Sequence, residues 1–188
     1  AELSARLDRL RQRMTEKDPA WSMLLLDNKL DMYYFTGTMQ EGALVVTPDK
    51  ATLFVRRSFD VAKDESAFAD IRPMGSFRGI KEVYPDIPET VYVAAKTMTL
   101  QKLSMLNKHL PFAPKSADGV LSALRSVKSE YELDCMRESG RLHQYVIEEV
   151  APALLREGVS EARLCSEICT AIVDHGGMGI SRYNQAAA

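Results

Sequence analysis

Two β-prone runs joined by a proline turn constrain this chain more than any other feature. Ala43-Leu44-Val45-Val46-Thr47 and Thr52-Leu53-Phe54-Val55-Arg56 are rich in branched and aromatic residues. Pro48-Asp49-Lys50 lies between them, with proline suited to the second position of a tight turn. A hairpin makes one antiparallel pair. A purely parallel doubly wound sheet is thereby excluded, and any sheet here is expected to be mixed.

The segments around the hairpin alternate helix and strand. Leu3, Leu7, Leu10 and Met14 form a narrow apolar stripe on a first helix, which Asp18-Pro19 ends. Arg6, Arg9, Arg13 and Lys17 run beside that stripe and are expected on a solvated face. Trp21 to Leu26 is nearly continuous in apolar residues and reads as a buried strand. Asp27-Asn28 can cap a short helix that Gly37 stops. After the hairpin, Ser58 is the expected cap of a charged helix over 59–68. Ile71 to Met74 reads as an edge strand because of Pro73. A short helix with Phe77, Ile80, Val83 and Tyr84 precedes the strand Thr90 to Ala94. Thr99 caps a helix carrying Leu103, Leu106 and Leu110, and Phe112-Ala113 adds a last strand. Ser116 is expected to start the helix through Val120, Leu121 and Leu124. This order argues for an α/β domain on a mixed sheet.

From residue 129 onward the pattern is helical. Ser129 followed by Glu132 has the spacing of a capping box. Leu133, Met136, Gly140, His143, Ile147, Val150 and Leu154 then step by three and four along one helix face. Pro152 is expected to kink or interrupt that helix. Gly158 suits a C-cap, Ser160 starts a further helix, and Gly176-Gly177 ends it.

Composition excludes several classes of function. Net charge is −2, with no basic excess to meet nucleic acid or an anionic membrane. No apolar run approaches the roughly 20 residues of a membrane span. Three cysteines are too few and odd in number for a disulfide framework, which fits a reducing, cytoplasmic compartment. Cys165 and Cys169 stand one helical turn apart and are expected to be free, mostly buried thiols, since two further zinc ligands are lacking. His143 lies on the apolar stripe and reads as a packed core histidine; His109 and His175 sit at helix ends and read as surface or capping residues. No phosphate-binding glycine loop, nucleophile elbow or H-E-x-x-H helix occurs.

Leu124, Arg125, Val127, Lys128, Ser129, Glu132, Leu133, Met136, Arg137 and Ser139 form a segment that resembles the linker opening the catalytic domain of creatinase, prolidase and aminopeptidase P. Asn28-Lys29-Leu30-Asp31-Met32-Tyr33-Tyr34-Phe35-Thr36-Gly37 and Leu53-Phe54-Val55-Arg56-Arg57-Ser58-Phe59 are similar to that family's N-terminal domain. Glu157 to Glu161 resembles the turn between the first helices of its pita-bread catalytic domain.

The resemblance implies a creatinase-type N-terminal α/β domain over 1–115, with a ribonuclease-H-like mixed sheet. It implies a linker helix and joint over 116–128, and the first helices of a truncated pita-bread domain over 129–188. It further implies a homodimeric parent that cleaves Xaa-Pro bonds in proline-containing peptides with two divalent ions (manganese, cobalt or zinc). In that family the N-terminal domain helps dimerise and walls the partner's active site. The loop after the Y-x-[ST]-G element approaches substrate there. Here it supplies Thr38, Met39, Gln40 and Glu41, with Arg57 nearby, as candidate substrate-binding residues. No catalytic residue, metal ligand or cofactor is assigned within this chain, so alone it is expected to be inactive. The alternatives are a non-catalytic relative that binds a protein partner, and a metal-independent creatinase-type C–N hydrolase.

Overall fold

A computed structural model describes residues 2–178. The glycine run's Gly179 and the triple alanine at 186–188 lie outside the described residues. The chain divides into two compact units, Ala1–Val127 and Lys128–Ala188.

In the first unit, six strands form one mixed sheet: β1 (Leu24–Leu26), β2 (Gly42–Val46), β3 (Ala51–Val55), β4 (Ile71–Pro73), β5 (Thr90–Val93) and β6 (Ala113–Ser116). Their spatial order is β4-β3-β2-β1-β5-β6. The expected hairpin is β2–β3, with Leu44 opposite Leu53. Strand β2 runs antiparallel to both its neighbours, while β4 pairs parallel to β3, and β5 parallel to β1 and β6. Five strands thus share one direction. Pro73 sits on edge strand β4, where a missing N–H costs no ladder bond.

Because side chains alternate along a strand, the sheet buries two separate clusters. Leu24, Leu26, Leu44, Val46, Leu53 and Val55 face one side with Leu7, Leu10 and Met14 of α1 (Glu2–Lys17), Met32 and Phe35 of α2 (Lys29–Thr36), and Leu121 and Leu124 of α6 (Asp118–Ser126). Met23, Leu25, Ala43, Val45, Phe54, Val91 and Val93 face the other, under Ile80 of α4 (Ile80–Val83) and Leu106 of α5 (Leu100–Asn107). Each fully buried Leu or Phe contributes about 1.5–3 kcal/mol by leaving water. Asn28 caps α2 by accepting from the Asp31 N–H, Gly37 closes it at φ 78°, and Thr99 caps α5.

The helix expected over 59–68 ends at Glu65, the strand expected from Trp21 begins at Leu24, and three side chains also depart from expectation. Arg6 is buried: its guanidinium donates to the Tyr34 carbonyl at 2.7 Å and lies 4.3 Å from the Tyr34 ring centroid. Stacking and a charge-assisted bond offset its desolvation. Ser58 precedes α3 (Phe59–Glu65) in the left-handed region at φ 56° and makes no side-chain cap bond. Ser116 ends β6, and its hydroxyl accepts from the Asp118 N–H just ahead of the helix.

The joint motif has a structural explanation within this unit. The Leu124 side chain is buried, and its carbonyl accepts from the Tyr34 hydroxyl at 3.2 Å. Arg125 pairs with the buried carboxylate of Asp31, which also accepts from the Asn28 side-chain amide at 2.6 Å. Two stretches some 90 residues apart in sequence are therefore tied together through a charge.

The second unit is helical among the described residues. Ser129 caps α7 (Glu130–Tyr145) with the full capping box. A π turn follows over Val146–Val150, then α8 (Ala151–Leu154) with Pro152 in its first turn. The Ala151 N–H reaches back to the Val146 carbonyl. The extra residue in that turn absorbs the interruption that a proline without an N–H imposes. Ser160 caps α9 (Glu161–Asp174), and Gly158 and Gly176 take positive φ around it.

Three side chains differ from expectation here. His143 is exposed, with Nδ1 2.7 Å from the Ser139 carbonyl. Cys165 and Cys169 are free thiols but are exposed rather than buried. Neither α7 nor α9 holds a buried residue, so stripe positions are uncovered among the described residues.

Candidate functional site

The site is built around the loop from Gly37 to Gly42, and each end needs its glycine for a different reason. Gly37 adopts the left-handed conformation that ends α2, and its N–H bonds the Tyr33 carbonyl. At Gly42 a Cβ would stand 1.9 Å from the Phe54 carbonyl oxygen, so only glycine lets β2 begin beside β3. Between them the chain is internally bonded. The Thr36 hydroxyl donates to the Met32 carbonyl and accepts from the Thr38 N–H. Thr38 is fully buried, and its hydroxyl accepts from the Gln40 N–H at 3.2 Å.

The polar groups presented outward come from both sides of the hairpin. Glu41 pairs with Arg56 at 2.9 Å and lies 3.6 Å from Arg57, while the Arg56 N–H donates to the Glu41 carbonyl at 2.7 Å. Arg57 is 74% exposed, so its guanidinium keeps most of its donors in solvent. Gln40 donates its side-chain amide to Glu65, at the end of α3. Hydrogen bonds from Thr38 and then Gln40 hold the Glu65 carboxyl below the usual carboxylate range.

A cavity of about 320 Å³ opens beside Glu41 and Gly42, lined also by Asp27, Arg56, Phe77 and Lys102. It lies at the carboxyl ends of β1, β3 and β4, the edge at which open α/β sheets receive ligands. The Asp27 side chain is only 1% exposed, and its Oδ2 faces Lys102 Nζ at 2.7 Å. That oxygen has no directed hydrogen bond, and the ammonium points instead at the Asp27 carbonyl, 3.4 Å away. Chemically, this edge offers paired charges of both signs over an apolar floor, an arrangement fit for binding a charged polar ligand.

The structure therefore gathers Gln40, Glu41 and Arg57 at one edge, turns Thr38 inward as support, and leaves Met39 half-buried. Sequence reading passed over Arg56, although it adjoins Arg57 at a strand end. It also passed over Lys102 and Glu65, which carry no local signal, and took Asp27 only as a helix-capping residue. Among the described residues no three His, Cys, Asp or Glu side chains stand together to hold a metal. The metals that the resemblance implies find no fitting ligand set among them. No helix among the described residues is long and apolar enough to cross a membrane.

The sequence pattern of the creatinase/prolidase N-terminal domain matches residues 6–127. The chain belongs to the creatinase/prolidase family. This creatinase/prolidase chain is also similar in fold to solved peptidases. An Xaa-Pro dipeptidase from Bacillus anthracis superposes with TM-score 0.81 at 18% identity, over 93% of this chain and 50% of that one. A prolidase from Pyrococcus furiosus gives 0.78 at 22%, over 90% and 53%. The dipeptidase PepE from Mycobacterium ulcerans gives 0.74 at 25%, over 94% and 50%. The chain spans about half the length of these relatives. None of the curated proteins matches it by sequence. The matched region ends at Val127, where the first compact unit also ends.

Proposed function

We propose that residues 2–127 serve as the N-terminal domain of an Xaa-Pro peptidase, a dipeptidase or aminopeptidase. In this reading the loop edge at Gln40, Glu41 and Arg57 walls the partner subunit's substrate site in a cytoplasmic homodimer. The family match over 6–127 carries the reading. The loop geometry supports it: Thr38 is buried as an anchor, while Gln40, Glu41 and Arg57 stand at the edge, with Met39 between them. A carboxylate beside two guanidinium groups can meet both the amino and carboxyl ends of a short peptide. The dimetal chemistry, in which paired ions would activate water, is assigned to the full-length protein.

The test is hydrolysis of an Xaa-Pro dipeptide and of a longer Xaa-Pro peptide by the full-length protein, with manganese or cobalt added. The reading expects metal-dependent turnover, with none from the 188-residue chain alone. Gln40→Ala with Glu41→Ala should raise KM. Unchanged kinetics in that double variant remove the loop from the site. Absence of any turnover by the full-length protein favours a protein-binding relative.

A further inference from the structure

The loop at the candidate site is gripped from outside by the last residues of α3. We propose that Glu65 is a positioning residue for the loop from Gly37 to Gly42, holding Gln40 and Glu41 in the shape that faces the ligand. This rests on the reading of that loop as substrate-facing. Both the Thr38 hydroxyl and the Gln40 side-chain amide, 3.1 Å away, donate to one oxygen, Glu65 Oε1. Thr38 has no exposure to water, so its hydroxyl needs an internal acceptor, and the carboxylate supplies it. The same hydroxyl accepts from the Gln40 N–H, which links the carboxylate to the loop backbone in two steps.

The next residue adds a second hold. The Ser66 hydroxyl donates to the Thr36 carbonyl and accepts from the Phe68 N–H at 3.1 Å. Adjacent side chains at the end of α3 thus hold the loop at its start and at its middle. Thr38–Glu41 lie outside strand and helix, and these side chains help to hold them. An ionised acceptor serves better than a neutral one, because its hydrogen bonds are stronger. The lowered carboxyl of Glu65 agrees with bonds that favour the charged form.

The experiment compares wild type, Glu65→Ala and Glu65→Gln. Amide hydrogen exchange on the 188-residue chain reads the loop. Glu65→Ala should speed exchange at Thr38 and Gln40 by roughly tenfold, while Leu44 and Leu53 in the sheet keep their protection. Glu65→Gln keeps one acceptor oxygen without the charge and should fall between. In the full-length protein, Glu65→Ala should raise KM for an Xaa-Pro peptide several-fold with kcat held within about twofold, the pattern of lost uniform binding. Glutamine should partly rescue KM. Unchanged loop exchange in Glu65→Ala overturns the proposal whatever the kinetics. Faster loop exchange with unchanged KM overturns the substrate-facing reading and leaves the grip itself established.

Discussion

In residues 2–127 the patterned apolar side chains find cover on both faces of a sheet; in residues 128–178 Val146 alone counts among the buried hydrophobic residues. Periodicity in the two regions is equally clear. The difference lies in what each stripe packs against. Strands β1, β2 and β3 have helices on both sides, so alternating residues enter one cluster or the other. Helices α7 and α9 are capped by Ser129 and Ser160 and expose Met136 and Val173 by half or more, as the π turn exposes Ile147. Amphipathic pattern therefore predicts a helix well, but burial follows only where a second surface meets it.

The contrast is most easily broken by matched truncations. Leu44→Ala, at a residue with no exposure, should cost about 2–5 kcal/mol. Ile147→Ala, at 67% exposure, should stay within about 0.5 kcal/mol. Denaturant titration measures both, followed through Trp21 fluorescence for the first unit and through far-ultraviolet circular dichroism for the second. Equal effects would show that the two regions are not so different.

A charge ties the end of the first unit to its core, which gives the next largest effect. Arg125→Ala leaves the Asp31 carboxylate buried without its cation and should cost about 3 kcal/mol, the low end for a broken buried pair. Arg125 is itself 29% exposed, which places the expectation there. Thermal unfolding at fixed pH checks it. In the second unit the comparable change is smaller. Ser129→Ala removes one half of the capping box and should cost about 0.5–2 kcal/mol, read as loss of helix over 130–145 with the sheet unaffected.

Acid sharpens the comparison from the first unit's side. The Tyr92 hydroxyl, first, and then the Ala20 N–H and Lys115 hold the Asp18 carboxyl below its ordinary value of 3.8. A group lowered in the folded state stabilises fully above its unfolded pKa, and that contribution fades as pH falls through the folded one. Stability of the first unit should therefore fall below about pH 4. Asp18→Asn should flatten that part of the acid curve.

Much of the fold was legible because its signals are local. The hairpin, the Asn28 and Thr99 caps, the Gly37 stop and the Ser129 box each depend on residues within a few positions. What escaped depends on distance. Arg6 lies next to an apolar stripe and looks solvated until the Tyr34 ring, 28 residues away, comes beneath it. The motif's Arg125 has no visible purpose until Asp31 arrives from 94 residues away. Pro152 announced an interruption, but not that a π turn would absorb it. At the candidate site, the Y-x-[ST]-G element ending at Gly37 marks the loop, whereas Glu65 lies 25 residues from Gln40 and has no pattern of its own. His143 and the two α9 cysteines have the spacing of packed residues yet are exposed, because pattern alone does not say whether a face is covered.

Amide hydrogen exchange on the whole 188-residue chain tests the contrast between the two regions most directly. Amides of β1, β2, β3 and β5 should exchange only through global unfolding of the first unit, while those of α7 and α9 should exchange through smaller openings and lose protection well before them. Equal protection across both regions, lost together at one denaturant concentration, would contradict it.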